Sequence, residues 1–158
     1  MQKKDVVGFL AILGVIVAVS SAGLLGQGAK GAMKQKPLYD RLGGKHAITA
    51  VVDEFVGHVA ADTRINGFFA KTAADPERLK TFKMNLVNQI CEASGGPCKY
   101  TGKDMKSAHA GMGVASGDFD ALVEDLVWAL DTLKVGKAEK ADLLGALGPM
   151  KADIVEKR

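Results

Sequence analysis

The residue best placed to do chemistry is His109, in the run Asp104-Met105-Lys106-Ser107-Ala108-His109-Ala110-Gly111-Met112-Gly113-Val114. Met105, Met112 and Val114 would surround its ring with apolar atoms, and the glycines after it allow a tight exit. A neutral imidazole in such surroundings presents a nitrogen lone pair suited to axial ligation of a haem iron. By itself, a lone histidine is as a rule a core or surface residue, and that reading stands beside the first. A zinc site is excluded, because one histidine cannot build it and no HExxH or CxxC spacing accompanies it.

Cys91 and Cys98 flank Gly95-Gly96-Pro97. In a reducing compartment they would be two quiet thiols; in an oxidising one they would close a loop and stabilise the fold by roughly 2–3 kcal/mol. A redox-active pair is the third option, although such pairs are usually CxxC, and behind an export-like N-terminus two cysteines this close favour the structural disulfide Cys91–Cys98. Of the other histidines, His46 sits in the first turn of its helix and reads as solvated. His58 lies two residues beyond Val56 and points roughly away from it. It reads as a surface residue, with iron ligation in a ligand-free state as the alternative.

Other chemistries lack their residues. The acids are spread along exposed faces without a paired, buried context, and neither a phosphate-cradling glycine loop nor a serine nucleophile elbow is present. The chain has 158 residues, 47% hydrophobic and 6% aromatic, with 19 glycines and a formal net charge of +3. That balance points to aliphatic helices joined by glycine turns. The lysines are scattered without interleaved aromatics, which argues against nucleic acid as a partner.

At the start of the chain two lysines precede an apolar run, residues 6–26, broken only by Ser20 and Ser21. A helix of that length crosses about 30 Å of hydrocarbon, so 1–26 reads as a transmembrane anchor or as a signal peptide cut after Ala22. No cysteine follows the run, which argues against a lipoprotein. Lys3 and Lys4 on one side face Lys30, Lys34 and Lys36 on the other and leave orientation weakly determined; the close cysteine pair favours a membrane-anchored or exported, extracytoplasmic domain. Residues 27–37 read as a flexible tether and 38–158 as one folded domain.

The periodicity in that domain is helical throughout. Leu38 to Leu42 is a short turn stopped by Gly43-Gly44. Ile48, Val51, Val52, Phe55, Val56 and Val59 make one buried face over 46–61. Asp75-Pro76 begins a helix that carries Leu79, Phe82, Leu86, Val87 and Ile90 to Gly95. Ser116 is the expected N-cap of a helix bearing Phe119, Leu122, Val123, Leu126, Val127, Leu130 and Leu133. A last helix over 138–155 should be bent or shortened by Pro149. The fold class is all-α.

The segments LYDRLGG at 38–44, the helix with Phe55, RINGFF at 64–69, GGPCKYTGKDMKSAHAGM at 95–112 and the downstream Phe119 resemble the truncated haemoglobins, specifically group 1. The resemblance covers about 38–155. It implies a two-over-two helical sandwich and b-type haem (iron protoporphyrin IX) held without a covalent bond, since CxxCH is missing. It makes His109 the proximal ligand, Phe69 an aromatic near the porphyrin and Met105 a haem contact. Tyr100, with Lys99 or Lys103, would lie near the propionates, and Val114, Phe119 and Leu122 would line the inner side.

The departures from the family bear on ligand choice. Group 1 members usually follow the phenylalanine of the first long helix with a tyrosine, but here Phe55 precedes Val56. The distal positions that often carry glutamine fall on Phe82 and Leu86. Lost donors weaken O2 by about 1–3 kcal/mol per hydrogen bond, so a mostly apolar pocket should favour NO or CO relative to O2. Gln89 and Lys83 are the nearest candidate donors, with His58 as a further polar group. The expected function is reversible binding of O2 or another diatomic. The alternative is a redox enzyme, in NO dioxygenation, peroxide chemistry or electron transfer, served by a separate reductase, with His58, Lys83 or Met84 as a second iron ligand.

Overall fold

A computed structural model describes residues 35–157; the apolar run 6–26 and most of the tether lie outside them. The described helices are α1 (Leu38–Arg41), α2 (Gly44–Ala61), α3 (Ala70–Ala73), α4 (Pro76–Ala93), α5 (Met105–His109), α6 (Ser116–Thr132), α7 (Lys137–Leu147) and α8 (Lys151–Ile154). Short 3-10 turns at Asn66–Phe69 and Gly148–Met150 lead into α3 and α8. Among the described residues no helix is long and apolar enough to cross a membrane.

α2 is the centre of the domain. Ile48, Val51, Val52, Phe55 and Val59 are buried, each worth roughly 1.5–3 kcal/mol when fully removed from water. The helix packs between α4 and α6, while α7 rests on α1 and α4 and α5 on α8.

α4 starts as its sequence indicates. Asp75 Oδ1 accepts the N–H groups of Glu77 at 3.0 Å and Arg78 at 3.2 Å, and Pro76 occupies the first turn where its missing donor costs nothing. Its apolar positions, however, divide. Val87, Ile90 and Cys91 are buried in the core with α2, whereas Phe82 and Leu86 are only half-buried. At about 100° per residue, Phe82 and Cys91 lie on opposite sides of the helix, too far apart for one neighbour to cover both.

The end of α4 is tied to the start of the domain. The N–H of Tyr39 donates to the Ser94 carbonyl at 2.9 Å, and the Tyr39 hydroxyl accepts from the Lys45 N–H at 3.0 Å. The Tyr39 ring lies so close over Gly96 that a Cβ there would collide with it and come within 2.8 Å of the Cys91 carbonyl oxygen. Cys91, fully buried, is disulfide-bonded to Cys98. Closing so short a loop should contribute about 2–3 kcal/mol. Cys98→Ser is therefore expected to lower the urea unfolding free energy by that amount, and dithiothreitol should do the same to the parent but nothing to the variant.

Several boundaries differ from the sequence reading: α2 begins at Gly44 and not at 46, and α7 at Lys137 and not at 138. The N-cap of α6 is Ala115, not Ser116; Asp118 serves the helix start by accepting the Ala115 N–H at 2.9 Å. The final helix is cut into α7 and α8 by the turn holding Pro149, the break its ring requires.

Candidate functional site

α5 is five residues long and would not persist alone. Asp104 caps it, with Oδ1 accepting the Ser107 N–H at 2.9 Å, and that donor holds its carboxyl below the ordinary carboxylate range. His109 is the last helical residue. Its Nδ1 lies 2.7 Å from the Met105 carbonyl oxygen. A carbonyl only accepts, so Nδ1 must carry the proton, and Nε2 of the neutral ring is left with its lone pair. Among the described residues no three His, Cys, Asp or Glu side chains gather as a metal cage.

The apolar surroundings come from elements distant in sequence. Val114, Phe119 and Ile154 form a second buried cluster, joined by Phe68, Met105, Val123, Met150 and Val155. Val123, four residues from Phe119 and so on its face, takes the place expected of Leu122, which packs into the main core instead. Phe55 is likewise a main-core residue, with Val56 and Leu86 packed against that core.

The half-buried face of α4 carries Phe82, whose ring lies 5.7 Å from that of Phe69 at a tilt of 51°. A cleft of about 410 Å³ opens beside it, lined by Thr72, Glu77, Arg78, Thr81, Phe82 and Asn85. The segment between α4 and α5 is pinned by Glu92, which accepts from the Tyr100 N–H at 3.0 Å and pairs with Lys99 at 3.1 Å. The Tyr100 hydroxyl donates to the Lys103 carbonyl at 2.7 Å; burial, with Asp104 nearby, pushes its phenol above the ordinary value.

The three polar side chains proposed for the distal side all have other partners. Lys83 reaches back to Asp53 of α2, 2.8 Å away. His58 faces α6, with Nδ1 3.2 Å from Oδ1 of the buried Asp125 and its ring against Trp128 at 3.5 Å. Gln89, one turn beyond Leu86, is carried along the helix toward α5, where its amide lies 3.2 Å from the sulfurs of both Met105 and Met150. Met84, offered as a second iron ligand, is exposed.

Asn85, Phe68, Val123, Met150 and Glu156 were not read from the sequence as neighbours of the site. Asn85 had a signal, since it stands three residues from Phe82 on the same helical face. The other four reach the site through tertiary contacts that local spacing does not encode.

The family model described as bacterial-like globin matches residues 37–156. The group 1 truncated hemoglobin of Mycolicibacterium paratuberculosis is 34% identical over 117 residues, covering 74% of this chain and 82% of that protein. That of Tetrahymena pyriformis is 35% identical over 105 residues, 66% of this chain and 83% of that protein. The fold resembles the crystal structure of the Tetrahymena pyriformis truncated hemoglobin in its Fe(III) form, with TM-score 0.68 and 30% identity over 76% of this chain and 98% of that one. It also resembles the cyanomet 2/2 hemoglobin of Synechococcus, whose heme is covalently attached, with TM-score 0.69 and 30% identity over 77% and 99% of the two chains.

Proposed function

This chain belongs to the bacterial-like globins and to the group 1 truncated haemoglobins, and we propose from that membership a gas-binding globin in which His109 is the protein's ligand to the haem iron. The fold is the truncated-globin fold, and the cofactor is haem b. When bound, that group supplies an iron able to take a diatomic such as O2, NO or CO. The observation that carries the reading is the His109 ring, whose Nδ1 proton is committed to Met105 and whose Nε2 lone pair is thereby kept for a metal.

The residues fit the group. Phe69 and Phe82 offer aromatic surface on one side, and Met105, Val114 and Phe119 offer apolar surface on the other. Lys99 is engaged by Glu92, so Lys103, beside Tyr100, is the cation we assign to the haem carboxylates. Val56, Phe82 and Leu86 line the ligand side, and the pairing of Lys83, Gln89 and His58 elsewhere supports a pocket with few donors. The cleft beside Phe82 carries the polar groups of Thr72, Glu77, Arg78, Thr81 and Asn85, so the donor-poor surface we assign is the one made by Val56, Phe82 and Leu86 themselves. Such a pocket discriminates toward NO and CO, which need no hydrogen bond to the extent that O2 does. We also assign the domain to an oxidising, extracytoplasmic compartment, tethered through or exported by 6–26; a disulfide is at home there.

Titrating the full chain with haemin tests the central claim. A Soret band saturating at one equivalent, and shifting on reduction and CO addition, is the expected result. A protein that stays colourless at stoichiometric haem overturns it. The apolar-pocket claim falls if O2 dissociates as slowly as it does from relatives with a tyrosine at the position of Val56.

A further inference from the structure

The loop that leaves α5 has little to hold it. Ala110, Gly111 and Met112 are exposed, and the first buried side chain after His109 is Val114. Gly111 and Gly113 have φ of 78° and 69°, the left-handed region where residues with a Cβ are disfavoured. Within the loop the Met112 N–H donates to the His109 carbonyl at 3.1 Å, so displacement of this turn is felt directly at the histidine backbone.

What fixes the loop lies two residues beyond α8. Glu156 Oε1 accepts the Gly111 N–H at 2.7 Å and Oε2 accepts the Gly113 N–H at 2.5 Å. One carboxylate thus spans the two amides on either side of Met112, a small anion-binding concavity filled from within the chain. The backbone adds a second attachment. The Val114 carbonyl accepts from the N–H groups of Glu156 at 2.9 Å and Lys157 at 3.1 Å, and Ala115 and Lys157 form a parallel bridge. Ile154 anchors the same segment in the cluster with Val114 and Phe119. The Gly111 and Gly113 amides, in that order, hold the Glu156 carboxyl below its ordinary range.

We propose that Glu156 is a positioning residue for His109: its carboxylate locks the Gly111–Gly113 turn and so fixes where the histidine presents Nε2 to the haem. The proposal rests on His109 being the iron ligand. Met105 sets the tautomer from the N-terminal side, and Glu156 sets the backbone from the C-terminal side. Together they leave the ring little freedom to follow a ligand-dependent pull, which is what the groups behind a metal ligand contribute in general.

The test is the iron–histidine stretching band of the ferrous full-chain holoprotein, read by resonance Raman together with the rate of haem loss, in the parent, His109→Gly, Glu156→Gln and Glu156→Asp. Glu156→Gln preserves shape but offers one acceptor where two N–H groups need one each. A shifted or broadened band and about tenfold faster haem loss are expected, with Glu156→Asp, which keeps both oxygens and the charge, intermediate. A parent-like band and loss rate in Glu156→Gln overturn the proposal. If Glu156→Gln does not accumulate as holoprotein, the decision passes to Glu156→Asp, where a parent band overturns it equally. The His109→Gly arm separates the two claims. Loss of the band there upholds His109 as ligand whatever Glu156 does, and its persistence removes that reading and this proposal together. Amide exchange at Gly111 and Gly113 in haem-free protein is expected to quicken in Glu156→Gln, a readout that needs no loaded cofactor.

Discussion

His109→Gly is expected to weaken haem binding by at least about 100-fold, since loss of groups that merely orient a metal ligand already costs 10–100-fold. The substitution removes the ring whose Nε2 lone pair is left free beside α5, while the neighbouring Met105 sulfur already accepts from the Gln89 amide. Glycine also leaves room for a free base. Millimolar imidazole should therefore restore the haem spectrum of the variant while leaving the parent unchanged, and haemin titration with and without imidazole checks both. A variant that binds haem as tightly as the parent without imidazole would show that the iron takes another ligand.

The second large effect is at Val56. This residue is three positions from Asp53, whose carboxylate pairs with Lys83 of α4, so that side of α2 faces α4, where we propose that the ligand binds. Val56→Tyr would place a hydroxyl donor where the chain has only carbon. A hydrogen bond to a charge-like acceptor contributes about 1–3 kcal/mol, and 1.4 kcal/mol is a factor of ten. O2 dissociation is therefore expected to slow by about 10- to 100-fold, with CO dissociation changed far less. Tyrosine is larger than valine, and overpacking costs about 1–3 kcal/mol of stability; a thermal melt separates that cost from the ligand effect. Stopped-flow displacement of O2 by CO decides the matter. An unchanged O2 rate in a folded variant would mean that residue 56 does not look into the ligand pocket.

The parts of this molecule governed by local rules were readable from the chain. The face of α2 from Ile48 to Val59, the Asp75-Pro76 start of α4 and the break at Pro149 follow from periodicity and capping, which depend on neighbours within a turn or two. The short helical segment that ends at His109 was readable from its sequence, and the role we propose for that histidine comes from the family resemblance. What was not readable depends on partners far along the chain. Lys83 looks like a free donor until Asp53, 30 residues away, is placed beside it. Gln89 looks distal until the two methionine sulfurs close over it. Leu122 and Val123 are neighbours on one helix, and only the position of the α5–α8 pair decides which of them belongs to the site. Ser116 yielded its place to Ala115 because Asp118, two residues further on, does the capping.

α4, with one apolar face committed to α2 and the core and another, through Phe82 and Leu86, left half-covered, makes the cofactor a thermodynamic component of the domain. A ligand that binds only the folded chain adds RT ln(1 + [L]/Kd) to its stability, and the binder here would cover the apolar surface that no helix covers. The folded fraction of this protein is then set by haem supply as well as by its own sequence, so haem shortage would remove the chain itself as well as its bound gas.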